Sequence, residues 1–379
     1  MGDRSIHPSR QPGIEERIEW LWQLGRKHSE DFCGPDATLA RKRYLAEHPT
    51  HIMVLKCMDG RIHIPYATKT PLGIIEPLRN LGGMFNMGWP YLGEVVAASV
   101  NDAVERGQRV LIVITYHFSK GDRHRGCAGF DFDTQASIRY VQDIKRQMEH
   151  TFGASRQTVY PVVFGFETDE DALILHGPGQ NGTGASWNLA EAEASQGADP
   201  TNPDEDALLR QLRALYPDMP GRILTDLLPL VAGNIRHIAE IRASGREIAV
   251  EHREWVICIG RGFDFLHEPN MALIIGPFSP DLSGPIAKAA GIIRSNMQHG
   301  RIPDDGFLLL ASAPYREAGM DRARAELKSR FLSQFADEVI RREWPDLHHK
   351  MRVETAVLDW NTRRLTGVGG GEPAATARS

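Results

Sequence analysis

Short apolar runs of strand length alternate with longer segments of helical periodicity along most of the chain, and this alternation leaves few folds open. The runs are His51–Lys56, Val110–Tyr116, Gln157–Glu167, Ala172–His176, Trp255–Ile259 and Phe307–Ala311. Between them, apolar residues recur at helical spacing over Leu92–Arg106, Asp204–Ser244 and Asp321–Glu343. Strands separated by helices pair in parallel, so the pattern predicts an α/β fold with a mostly parallel sheet flanked by helices. A balance of 41% apolar and 25% charged residues is that of a globular protein and excludes disorder for most of the chain. No apolar run approaches the ~20 residues that span a bilayer, so no membrane segment is expected. With 44 basic and 49 acidic residues the net charge is −5, which gives no compositional support for a nucleic-acid surface. The cysteines, Cys33, Cys57, Cys127 and Cys258, are too few for a disulfide-stapled secreted protein. The polar N-terminus has no apolar core of a signal peptide. A cytoplasmic protein with reduced thiols free to bind metal is expected.

The chain divides on composition. Residues 1–48 read as a loose polar tail (1–14) followed by a helical segment broken at Cys33-Gly34-Pro35. Residues 49–190 form a first α/β domain and 191–365 a second, joined through Gly177–Pro203, whose Gly, Asn, Ser and Ala suit a long surface linker. The Gly/Ala-rich residues 366–379 read as a disordered tail. The two domains echo each other. His51–Pro65 has the shape of Glu254–Glu268: strand, Cys, then Gly-Arg. Val110–Arg123 has the shape of Phe307–Arg322. On this alignment Cys57 corresponds to Cys258, Gly260 replaces Asp59, and Pro314 stands where the first copy has His117. The second copy therefore keeps the scaffold and lacks the metal site.

The chemistry concentrates in the first copy. Cys57-Met58-Asp59-Gly60-Arg61 follows a buried strand, and ligands of open parallel sheets bind at the carboxyl ends of strands. A second strand delivers His117 to the same edge, and Cys127 follows ten residues later in Gly126-Cys127-Ala128-Gly129. Two thiolates and an imidazole suit Zn²⁺, and three protein ligands leave a fourth position open, as catalytic rather than structural zinc sites do. A carboxylate paired with Arg stays ionised and oriented. Asp59 held by Arg61 can accept a hydrogen bond from metal-bound water; unpaired, it could take the fourth position and shut the site. His124, three residues before Cys127, rivals His117. Strand context favours His117, because His124 lies in the basic run Lys120–Arg125, which reads as a solvated loop. Cys258 has a strand setting without a ligand motif around it and reads as buried and inert. His63 admits a proton-transfer role or ordinary packing. Gly177-Pro178-Gly179-Gln180-Asn181-Gly182 matches a dinucleotide fingerprint in spacing, but more loop follows where a helix is needed, so a linker is the better reading.

Cys57-x-Asp59-x-Arg61 after a strand resembles the β-class carbonic anhydrases, which also carry an Arg-Asn-x-Gly segment about twenty residues on, matched here by Arg79-Asn80-Leu81-Gly82. That family's His-x-x-Cys-Gly element is stretched here to His117 and Cys127. The long interval, the decayed second copy, the N-terminal helical segment and Gly88-Trp89-Pro90-Tyr91 resemble the carboxysome shell branch over roughly residues 15–365. The long N-terminal extension of that branch is reduced here to about a dozen residues. The resemblance implies a duplicated β-carbonic-anhydrase fold and reversible hydration of CO2 to bicarbonate. It implies zinc on Cys57, His117 and Cys127, with zinc hydroxide attacking CO2, Asp59 orienting it and Arg61 holding Asp59. It further implies a homo-oligomer, a dimer of pseudo-dimers or higher, and a place within a carboxysome beside shell or enzyme partners. Two other functions fit the same residues: hydrolysis of CS2 or COS, and a non-catalytic shell or scaffold component with structural zinc.

Overall fold

The computed structural model describes residues 12–153, 157–179, 184–195, 202–244, 251–263, 266 and 268–369. They form two compact units, each around one sheet: Pro35–Glu251 with Phe278–Asp281, and Met1–Gly34 with His252–Pro277 and Leu282–Ser379. The first helix, α1 (Ile14–Cys33), stops at Gly34-Pro35, as the sequence predicts, and belongs to the second unit. The expected boundaries at 48/49 and 190/191 therefore lie elsewhere, at Gly34 and Glu251.

The first unit runs α2 (Pro35–Glu47), β1 (His51–Cys57), α3 (Ile64–Ala67), β2 (Ile75–Asn80), α4 (Pro90–Glu105), β3 (Val110–Phe118), α5 (Thr134–Phe152), β4 (Val159–Glu167), β5 (Ala172–His176), β6 (Ser186–Asn188), α6 (Leu189–Ser195), α7 (Glu205–Leu215) and α8 (Gly221–Ser244). Its sheet has the order β2-β1-β3-β4-β5-β6. The first four strands are parallel and the last two antiparallel. β1 and β3 are buried along nearly their whole length, as strands covered on both faces must be. Alternation still sorts the faces: Met53, Leu55, Ile112 and Ile114 join one core with Val96 and Val100 of α4 and Val141, Ile144 and Met148 of α5. α5 starts where the Asp133 carboxylate accepts the Ala136 N–H at 3.0 Å.

The segment read as a linker is partly structured. β5 and β6 form an antiparallel pair, so Gly177 and Gly179 sit in a β–β connection and open no helix. Residues 180–183 and 196–201 of that segment lie outside the described residues. α8, expected in the second domain, is locked into the first by Asn234. The Asn234 amide accepts the Leu173 N–H at 2.9 Å and donates to the carbonyls of Ala67 (2.9 Å) and Asp171 (2.8 Å). One buried side chain thus satisfies backbone groups at the ends of α3 and β5.

The second unit adds β7 (Val256–Gly260), β8 (Ala272–Ile275), α9 (Ser283–Gln298), β9 (Phe307–Tyr315), α10 (Met320–Glu343), α11 (Pro345–His348), β10 (Met351–Asp359) and β11 (Leu365–Gly367). Buried Arg17 anchors α1 here, with Nη2 2.5 Å from Asp305 Oδ1 and the guanidinium over the Trp255 ring. Asp305 Oδ2 also accepts the Ile14 N–H at 2.9 Å, so α1 begins tethered rather than as part of a loose tail; residues 1–11 lie outside the described residues. Leu365–Gly367 pairs with β10, which corrects the expected disordered tail up to Gly369; the remainder lies outside the described residues.

The internal echo is a repeat of topology. The second sheet has the order β8-β7-β9-β10-β11, with four parallel strands and an antiparallel fifth, matching β2-β1-β3-β4-β5. β3 and β4 pair from Val110↔Val159, and β9 and β10 from Phe307↔Met351, each over nine residues. In that common frame Met53, opposite Ile112, corresponds to Ile257, opposite Leu309. Cys258 then corresponds to Val54 and not to Cys57. Arg261 falls at the position of Cys57, Phe263 at that of Asp59 and Pro314 at that of His117. An alignment that pairs Cys57 with Cys258 is three residues out of register.

Replacing Asn234 by Leu leaves three backbone groups buried without partners. The expected loss is about 3–5 kcal/mol of unfolding free energy, read from chemical denaturation of the full chain. A change within ~0.5 kcal/mol, as for an ordinary surface substitution, would contradict the assignment of α8 to the first unit.

Candidate metal centre

Parallel pairing of β1 with β3 brings two strand ends to one edge of the first sheet. In register Leu55 faces Ile114, so Cys57 and His117, two and three residues further on, stand within the last residues of adjacent strands at one edge of the sheet. Cys127 arrives through the loop after β3. The Cys57 and Cys127 sulfurs and a His117 ring nitrogen all lie within 4.8 Å of one another, close enough to share one tetrahedral ion. All three residues are buried.

The donor set fits a metal on its own chemistry. Both ring nitrogens of His117 are buried without a hydrogen-bond partner, a costly state for a polar group that a metal would relieve. Burial pushes the Cys57 thiol well up, and its contact with Cys127 adds to this. Cys127 is held below the ordinary thiol value, first by the hydrogen bond from Cys57 and, against burial, by the backbone N–H groups of Gly129 and Phe130. The hydrogen bond between the two sulfurs pushes their proton affinities apart, and a dication would favour the thiolate form of both.

Asp59 and Arg61 are buried and fully engaged with each other. The Arg61 N–H and Nε donate to Asp59 Oδ1 at 2.9 and 3.0 Å, and Nη2 donates to Oδ2 at 2.6 Å. Asp59 Oδ2 lies 3.8 Å from His117 Nε2. The carboxylate is held beside the donor cluster and is turned to Arg61, the open arrangement of the two the sequence allows.

The Arg-Asn-x-Gly segment supports the site from beneath. Met58 N–H bonds the Asn80 carbonyl at 2.8 Å, and the Asn80 amide donates to the Met84 carbonyl at 2.8 Å. Gly83 (φ +65°) passes so close that a Cβ would stand 3.0 Å from the Thr115 carbonyl and 3.4 Å from Cys57 N. A Cβ on Gly129 would meet the Gly82 backbone at 2.8 Å. Glycines therefore let the Leu81–Gly83 turn and the Cys127 loop touch backbone to backbone.

His124 is exposed, with its ring against Phe132 at 5.4 Å, and does not join the cluster. His63 is buried with its ring edge-on to Tyr66, a packing position. Cys258 is buried within β7.

Three supports escaped the sequence reading. Buried Lys56 donates from Nζ to the Ile62 carbonyl at 2.7 Å, bracing the turn that carries Asp59 and Arg61; a lysine inside an apolar strand was its signal. Glu167 and Asp169, at the end of β4, hold the start of the long His–Cys interval. Asp169 accepts Ser119 Oγ–H at 2.8 Å and Gly121 N–H at 2.6 Å, and Glu167 accepts Lys120 N–H at 3.3 Å. Burial pushes the Glu167 carboxyl up to about 7. Burial also opposes ionisation of Asp169, but the Gly121 and Ser119 hydrogen bonds outweigh it and hold that group low. The basic run is therefore an anchored loop.

Residues 40–196 match the family model described as Carboxysome Shell Carbonic Anhydrase, catalytic domain, and this stretch contains Cys57, Asp59, Arg61, His117 and Cys127. The resemblance is to the carboxysome shell carbonic anhydrases. A curated carboxysome shell carbonic anhydrase of Hydrogenovibrio crunogenus is 27% identical over 279 residues, which cover 64% of this chain and 52% of that protein. The chain thus spans about half the length of that carboxysome shell carbonic anhydrase. A crystal structure of carbonic anhydrase from Streptococcus mutans covers 40% of this chain and 95% of its own, at 17% identity and a TM-score of 0.21. Among the described residues no helix is long and apolar enough to cross a membrane.

With His117 replaced by alanine, zinc measured by elemental analysis should fall well below about one ion per chain, while His124→Ala should keep its zinc. Equal zinc in both variants would dismiss His117 as a ligand. Asp169→Ala frees the loop that carries Cys127, so zinc should be lost to a chelator roughly tenfold faster.

Proposed function

We propose that the chain is a zinc carbonic anhydrase that hydrates CO2 reversibly to bicarbonate, with Cys57, His117 and Cys127 holding the metal. The observation that carries this reading is the buried Cys-His-Cys cluster beside an Asp–Arg pair, inside the stretch that matches the catalytic domain. Zinc bound there would lower the pKa of a bound water toward ~7 and supply the nucleophile at neutral pH.

The protein's own residues do the rest. Three hydrogen bonds from Arg61 fix the Asp59 carboxylate and turn it toward the guanidinium. That carboxylate is the acceptor available to orient the reacting water, and it sits next to His117. The buried Asp59 carboxylate depends strongly on Arg61, because breaking that pair would leave a buried charge poorly compensated. Arg61 therefore sets whether Asp59 serves the substrate or binds the metal. The name of the Hydrogenovibrio relative places that protein in the carboxysome shell. We carry over the same setting here, a carboxysome with shell or enzyme partners.

Stopped-flow CO2 hydration with zinc analysis tests this reading. Wild type should turn over with about one zinc per chain. Asp59→Ala should lose roughly 10²–10⁴-fold in kcat/KM with zinc retained. In Arg61→Ala, X-ray absorption should show a carboxylate oxygen added to the zinc shell. A fully zinc-loaded wild type without turnover would point to the scaffold role or to CS2 or COS as substrate.

A further inference from the structure

α10 in the second unit buries one face and leaves an apolar stripe on the other. Ala325, Ser329, Leu332, Ser333, Ala336, Val339 and Ile340 face the sheet, and Ser329 Oγ donates to the Ala311 and Ala356 carbonyls. On the opposite side Met320, Leu327 and Phe331 are 71%, 69% and 65% exposed, the three most exposed large apolar side chains described. Phe335 continues the stripe, its ring stacked on Phe331 at 6.3 Å. Leu327, Phe331 and Phe335 recur every four residues, so they form one ridge. Nothing in the function proposed above uses it.

The ridge is symmetric in chemistry as well as in space. Phe331 stands at the middle of α10. Turning the helix end over end about Phe331 sets Leu327 against Phe335, and Arg324 against Glu338, both exposed. Glu338 is engaged only at the surface, with Arg341 one turn on, a contact that water and another arginine can replace readily. A single sequence that is its own complement, apolar at the centre and oppositely charged toward the ends, is what a two-fold interface requires.

We propose that this face of α10 docks on the same face of a second copy of the chain, with the two helices antiparallel and crossing at Phe331. Leu327, Phe331 and Phe335 at the centre would be covered, and Arg324 of each copy would pair with Glu338 of the other. Leu327 and Phe331 present on the order of 250 Å² per copy. Two copies with Phe335 and their charged rims therefore bury less than the ~1,200 Å² of a small specific interface. The dimer should accordingly be concentration-dependent. This inference is independent of the carbonic anhydrase reading, and its test does not use activity.

Sedimentation equilibrium of the full chain at micromolar concentrations tests it. Wild type should dimerise. Phe331→Asp and Leu327→Glu, both at exposed positions, should each raise the dissociation constant at least a hundredfold. Arg324→Glu and Glu338→Arg should each weaken the dimer, and the double reversal should restore it to within about threefold of wild type. Circular dichroism confirms that each variant is folded, and the charge-reversal set tests the interface even if Phe331→Asp is not. A wild type that stays monomeric, which would leave the ridge to a different protein, overturns the proposal. So does an oligomer indifferent to these substitutions, or a double reversal no better than the single changes.

Discussion

The site depends on the parallel pairing of β1 with β3. Cys57 and His117 are far apart in sequence and meet because two hydrogen-bonded neighbours end at the same edge. A slip of one residue would turn one of them into the opposite face of the sheet. What prevents the slip is burial on both sides. Met53, Leu55, Ile112 and Ile114 fill one core, while Ile52, Val54, Leu111 and Val113 are buried on the other face. The placement of Cys57 and His117 is therefore fixed by the apolar residues of two strands.

The third donor has a different origin. Cys127 is carried by a loop, and a loop holds position only if its backbone polar groups are satisfied. Here carboxylates at the end of β4 do this at the loop's start, and backbone contact with Gly82 does it near Cys127. The long His–Cys interval is thus compatible with a rigid site because two elements outside it pin both ends. Lys56 plays the same part for the Asp59–Arg61 turn.

Much of this was legible in the sequence, and the failures have physical causes. Strands buried on both faces read clearly as apolar runs, as in Val110–Tyr116. β2 did not, because Glu76, Pro77 and Arg79 interrupt it, and β10 did not, because Arg352 and Glu354 alternate with apolar residues at a partly exposed position. The cluster of Cys57, His117 and Cys127 could be expected because strand ends converge by rule; the carboxylate anchors could not, because they are non-local partners of a loop. The linker reading failed at Ser186–Asn188 because a short antiparallel strand carries little hydrophobic signal.

The misalignment of Cys57 with Cys258 is instructive in another way. Matching letters placed two cysteines together, but backbone register places Arg261 where Cys57 stands. Strand order, pairing sense and the nine-residue ladder between the third and fourth strands are all repeated, while the positions that correspond to Cys57, Asp59 and His117 are held by Arg261, Phe263 and Pro314. Scaffold and chemistry are encoded at different places: the first in the middle of the strands, the second in their last residues and the turns that follow. Drift at the strand ends can therefore remove a Cys-His-Cys cluster without disturbing the core. Pro314 shows how complete the loss is. In the first unit the corresponding place supplies an imidazole, and a proline offers neither a ligand nor a backbone donor. Recovering a metal site there would need several simultaneous changes, so the second sheet is available for other work, and the self-complementary ridge of α10 lies on the helix packed against it.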